Sequence, residues 1–216
     1  MHDNSGQMNI PPESGRKLIL GLATFTLIGF SLIGLLIINV FVDRSPMEIL
    51  QGSSAIWLQI LVGASFGLLA ALMAHFIISR KWMTSVMQKY ASLLGPFNLN
   101  IWDILYVSLC AGIGEEILFR GAIQPLIGII FTAVVFVGLH GYLNPKDARI
   151  SVYGFFMVLV MIVFGIMCEH IGILSTIIAH TVIDIYLLII LSKAGRNLNP
   201  TTTSVDRPTV EEQQEQ

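Results

Sequence analysis

Three stretches of this sequence place ionisable side chains among residues that are almost all apolar. They are Glu115-Glu116-x-x-x-Arg120, Phe136-x-x-x-His140 and His180-x-x-x-Asp184. Residues four apart share a helix face, so Glu116 can pair with Arg120, and His180 with Asp184. Glu115 lies about 100° around the helix from Glu116 and is left free for water or a ligand. An ion pair serving only the fold would leave Glu115 without a role. The residue types admit three kinds of chemistry. A carboxylate can take a proton from water while imidazoles donate to a developing oxyanion. Glu115, His140, His180 and Asp184 are also a nitrogen and oxygen set of the kind zinc accepts. Finally, buried carboxylates and histidines can relay protons, as they do in transporters.

These groups need elements that hold them out of lipid. A charge near the bilayer centre costs about 2.5–3.5 kcal/mol, so Glu115, Glu116 and Arg120 together cost roughly 9 kcal/mol if unpaired. The composition shows that a bilayer is the relevant solvent. The chain has 216 residues, 54% hydrophobic and 12% charged, with a mean hydropathy of +0.75. Soluble domains carry about 25% charged residues. The expected fold class is therefore all-α, a polytopic transmembrane helix bundle of about six spans. The spans are read as Leu18 to Val42, Ile56 to Ile78, Ile101 to Leu126, Ile129 to Tyr142, Val152 to Cys168 and Gly172 to Ser192. A polar N-terminal segment (1–17), a membrane domain (18–192) and a disordered C-terminal tail (193–216), rich in Thr, Pro, Glu and Gln, complete the expected division.

Between spans, Ser79 to Asn100 reads as a polar connection with a Gly95-Pro96 break, and Asn98 or Asn100 offers a cap for the next helix. His75 reads as a lone interfacial histidine, and Glu169-His170 as a minimal turn. Gly63-x-x-x-Gly67 allows close helix packing. The first apolar run is longer than a signal-peptide core and reads as a retained anchor. Lys and Arg fall overwhelmingly on one side of such a bundle, which places both termini in the cytoplasm. The expected setting is a multi-pass integral membrane protein in the plasma membrane of a prokaryote. The net charge of −2 and the lack of a basic tract give no reason to expect nucleic acid as a partner. Cys110 and Cys168 form no Cys-x-x-Cys motif and read as small buried hydrophobes.

Depth draws the polar groups together. If the third and fourth spans form an antiparallel hairpin turning between Ile127 and Gly128, Glu115 and His140 lie level, roughly 18 Å from the turn. His180, about eight residues into the last span, lies within about a turn of that level. Three helices thus converge on one polar layer.

The three motifs, in this order on separate helices, resemble those of the CPBP family, the CAAX-protease and bacteriocin-processing membrane proteins also called Abi-type. The resemblance covers roughly Ile101 to Ser192 and implies intramembrane hydrolysis of a peptide bond, with a peptide or membrane-protein substrate and no cofactor. It implies that Glu115 and His140 activate the attacking water, that His180 and position 184 stabilise the oxyanion, and that Glu116 and Arg120 support the site. Prenyl-peptide proteases have Asn at the position of Asp184, a neutral donor. An ionised Asp184 cannot donate, and the spacing instead favours an orienting role on His180.

Three alternatives stand beside this reading. A zinc-dependent variant would use Glu115, His140, His180 and Asp184, although no His-Glu-x-x-His motif is present. A non-catalytic scaffold, regulator or immunity protein is a second, against which all three motifs are intact. A transporter ranks last, for want of an internal repeat.

Overall fold

The computed structural model describes residues 12–198. Residues 1–11 and 199–216, the greater part of the two terminal segments expected from sequence, lie outside the described residues, while 12–17 and 193–198 are helical. The first helix begins at Pro12 (α1, Pro12–Phe25) and passes through a π-helical turn at Thr26–Phe30 into α2, Ser31–Phe41. A short α3, Pro46–Gln51, follows, capped by a reciprocal Ser45 and Glu48 pair. Then come α4 (Ile56–Ile78), α5 (Thr84–Leu94) and α6 (Ile101–Glu116). A second π-helical segment, Ile117–Ile123, joins α6 to α7, Gln124–Ile127. The remaining helices are α8 (Ile129–Leu139), α9 (Ala148–His170) and α10 (Ile173–Leu198). Within the described residues the protein is an all-helical, multi-pass membrane protein.

Among the described residues, four helices are long and apolar enough to cross a membrane: Glu13–Phe41, Ile56–Ile78, Ala148–His170 and Ile173–Leu198. The expected third span is present as one helical run from Ile101 to Ile127, but it carries four charges, Asp103 included. The expected fourth span is shorter than the sequence reading, ending at Leu139 rather than Tyr142. Its end is a left-handed cap. Gly141 has φ of 75°, its N–H donates to Gly138 O at 2.9 Å, and Tyr142 N–H donates to Val137 O at 3.2 Å, the pairing that closes a helix on a glycine. The chain therefore leaves helix where His140 and Tyr142 line a cavity within the protein, a setting in which irregular backbone is tolerated.

Other boundaries also move. Helix α9 continues through the expected Glu169-His170 turn, and Gly172 with φ of 137° makes the reversal instead. Helix α10 continues through Lys193 to Leu198, beyond the expected span. The expected polar connection contains α5, an amphipathic helix that buries Val86 and Ala91. Gly128, with φ of 80°, forms the predicted turn between the third and fourth spans. Asn100 rather than Asn98 caps α6, in a reciprocal bond with Asp103.

Helix α10 is the packing centre, lying against α4, α5, α6 and α9. Small residues permit this. A methyl added at Gly67 would meet Ala179 O at 2.6 Å, and one at Gly63 would meet the Ser175 carbonyl. The Gly-x-x-x-Gly spacing thus seats α4 on α10 of the same chain. His75 is not a lone residue, since its Nδ1 lies 2.8 Å from the Tyr186 hydroxyl on α10. At the same end of the bundle, Arg16 of α1 donates two 2.8 Å bonds to Asp103 of α6. Asp103 is only 4% exposed, and this fork pins the start of α1 to the start of α6.

Candidate active site

Each polar side chain is delivered by a different local device. Glu115 and Glu116 end the regular part of α6, and Arg120 sits one turn on, inside the π-helical segment. Such insertions re-aim side chains and are frequent at functional sites. His140 is the capping residue of α8, and His180 and Asp184 occupy successive turns of α10.

The structure brings all six predicted residues together. Glu116 and Arg120 are buried at 0% and 1% exposure, with Glu116 Oε2 3.3 Å from Arg120 Nε. The guanidinium also lies 5.6 Å from the centre of the Phe136 ring. Glu115 points away from this pair, and its Oε2 lies 3.4 Å from His140 Nε2 and 4.0 Å from His180 Nε2. That oxygen is buried and makes no hydrogen bond among the described residues.

Both imidazoles are clamped. The His140 ring stacks on Phe136 at 4.3 Å, with Tyr142 at 6.0 Å on a nearly parallel plane. Its Nδ1 donates to the Phe136 carbonyl at 2.8 Å, leaving Nε2 for Glu115. His180 Nδ1 lies 2.9 Å from Glu116 Oε1. As the ring nitrogen must donate to a carboxylate, this fixes Nδ1–H and turns Nε2 toward Glu115 and Asp184. Asp184 Oδ2 is 3.6 Å from Nε2, within reach as the spacing required. The nearer partner of the ring, and the one that sets its plane, is Glu116. The spacing rule assigned Asp184 that role because a contact between α6 and α10 leaves no mark in local sequence.

The cluster forms the floor of a cavity of about 270 Å³. Glu115, His140, His180 and Asp184 supply its polar surface, while Val86, Met87 and Tyr90 of α5 and Leu187, Leu188 and Leu191 of α10 supply much of its apolar wall. Tyr142 and Tyr153, not singled out from sequence, line it too. Their signal was weak, since tyrosines near helix ends read as interfacial anchors. Burial, and to a lesser degree Asp147, raises the Tyr90 hydroxyl above its ordinary range, keeping it a neutral donor. The cavity runs from the polar layer toward the end of the bundle that carries Lys81, Lys89, Lys193 and Arg196.

Among the described residues, no three His, Cys, Asp or Glu side chains converge in a way that would hold a metal ion. Glu116 and Arg120 are committed to each other and to His180, and the arrangement shown is that of a carboxylate facing two imidazoles.

Comparison with known protein families finds a match to type II CAAX prenyl endopeptidase, Rce1-like, over residues 96–186. No curated protein and no solved structure matches the chain. Residues 96–186, which hold every side chain of the polar cluster, thus match the Rce1-like type II CAAX prenyl endopeptidase family, the same protease family that the three motifs resemble.

Proposed function

We propose that this protein is an intramembrane endopeptidase in which Glu115 and His140 activate water against a peptide carbonyl. The observation that carries this reading is Glu115 Oε2, a buried carboxylate oxygen without a hydrogen bond among the described residues, aimed between two imidazole nitrogens at 3.4 and 4.0 Å. A water bound between Glu115 and His140 gives its proton to Glu115 as its oxygen attacks the carbonyl carbon. His180, holding Nδ1–H on Glu116, donates from Nε2 in its doubly protonated form to the oxyanion that develops. Collapse of the tetrahedral intermediate breaks the carbon–nitrogen bond, and Glu115 returns the proton to the leaving amine. Asp184 neutralises charge beside Nε2. Glu116 and Arg120 are positioning residues and do not touch the substrate.

The substrate of this reading is a polypeptide that carries, or lies beside, an apolar anchor, either a lipid group as the family name implies or a membrane segment. Leu187, Leu188, Leu191, Val86 and Met87 offer such an anchor an apolar wall. If Lys and Arg mark the cytoplasmic side, the cavity opens to the cytoplasm, and the Gly128 turn lies outside. The scheme uses no metal. Trapping with Glu115→Gln in membranes, followed by mass spectrometry of captured peptides, tests it. Capture of one defined peptide class, cleaved at one bond by the unmutated protein, is the expected result. A cellular phenotype that survives both Glu115→Ala and His140→Ala would instead assign the protein a scaffold or immunity role.

A further inference from the structure

We propose that a second polar cavity, at the opposite end of the bundle, takes up water that solvates Arg120 and thereby couples solvent on that side to His180. The activity part of this inference rests on the function proposed above. The cavity measures about 490 Å³, and Arg44, Glu48, Arg120, Gln124, Cys168 and Glu169 are among the residues lining it. Each water occupies about 30 Å³ of liquid volume, so the space admits several.

Arg120 is the feature that calls for a ligand. It is 1% exposed, yet its Nε and Nη1 make no hydrogen bond among the described residues. Its Nη2 reaches only Met161 Sδ, at 3.1 Å, and a thioether is a weak acceptor. A guanidinium carries five N–H donors, and buried donors are almost always satisfied by protein or by ordered water. The Glu116 carboxylate supplies charge to Arg120 but lies off hydrogen-bonding geometry at 3.3 Å. The polar cavity against the same side chain is where the missing acceptors come from.

The position of Arg120 makes this hydration consequential. Arg120 lines the second cavity but not the one that contains Glu115 and His140. Its partner Glu116 holds His180 Nδ1 at 2.9 Å. A group placed in the second cavity is therefore felt at His180 through two contacts, without touching the substrate.

The chain's own cysteines provide the test. It contains two, Cys110 and Cys168. Cys168 lines the second cavity, whereas Cys110 is buried at 2% exposure and lines neither. Full-length Cys110→Ala protein in sealed vesicles of each orientation is treated with a charged, water-soluble methanethiosulfonate, and labelling is read by intact mass. Cys168 should label only from the face that bears Arg44. Labelling should lower kcat about tenfold or more while leaving KM within about twofold, and it should shift the ring-nitrogen resonances of His180. Cys168→Ser should resist the reagent. Failure of the charged reagent to label from that face overturns the hydrated cavity, whether or not the protein cleaves peptides. Labelling that leaves the His180 resonances unmoved overturns the coupling, again independently of activity. Should the unlabelled protein cleave nothing, the proposed function fails while both of those readouts still decide this inference.

Discussion

Arg120→Met is the most informative single change, because the supporting role proposed for Arg120 can be read in stability and in turnover separately. The substitution keeps much of the volume but leaves Glu116, at 0% exposure, without its counter-charge 3.3 Å away. Breaking a buried pair by removing one partner costs about 3–5 kcal/mol, a large part of the roughly 5–15 kcal/mol that holds a typical protein together. Glu116→Gln should cost less, because water in the second cavity still solvates the guanidinium. The double variant Glu116→Gln/Arg120→Met removes both charges, and should recover to within about 1 kcal/mol of the parent. It should also keep turnover, because the Gln carbonyl still accepts from His180 Nδ1. Glu116→Leu/Arg120→Met should be less stable than that pair by about 1–3 kcal/mol, because the buried His180 Nδ1–H loses its acceptor, and should lose about 10- to 100-fold in kcat, the worth of a hydrogen bond to a charged group. Reversible unfolding in detergent, run beside a peptide-cleavage assay, gives both quantities. If Arg120→Met unfolds within about 0.5 kcal/mol of the parent, or the Leu/Met pair turns over normally, the supporting role of this pair is wrong.

The remaining predictions follow from the same geometry. Glu115→Gln and His140→Ala should each lower kcat by about 10²–10⁴, since each removes a proton acceptor or donor at the cavity; Glu115→Gln should leave the unfolding transition in place, whereas His140→Ala should lower it through the lost stack on Phe136. Asp184→Asn should retain kcat within about tenfold, because Glu116 rather than Asp184 sets the His180 ring. A loss as deep as that of Glu115→Gln would show that the charge at 184 is required. Gly67→Ala forces a methyl to within 2.6 Å of Ala179 O and should destabilise by about 1–3 kcal/mol. It should lower turnover as well, because Ala179 precedes His180; a thermal melt and the cleavage assay read the two effects. Stripping divalent metal with a chelator should leave cleavage unchanged, and a loss restored by zinc would refute the glutamate scheme.

The helical class and the approximate spans were legible in the sequence because burial in a bilayer imposes long apolar runs, and local composition records them. The pairing of Glu116 with Arg120 was legible too, since it is a property of one helix. So was the level of Glu115 with His140, because a turn at Gly128 and a fixed rise per residue determine it. The early end of α8 was encoded by Gly141 but hidden by the apolar and aromatic residues around it. Helix α5 was hidden for the opposite reason: Lys89, Gln88 and Ser85 on its outer face made an amphipathic helix look like a loop, although Val86, Met87 and Tyr90 follow helical spacing.

By itself, then, the sequence determined which residues had to be kept from lipid and which of them shared a helix face, for both follow from solvent and helical period alone. Tertiary structure decided what each ionisable group touches. Only the close seating of α10, permitted on α4 by Gly63 and Gly67 and on α6 by Gly112, brings His180 onto Glu116. That contact between residues 64 apart in sequence makes Glu116 the support of a histidine as well as of an arginine, and leaves Asp184 on the far nitrogen.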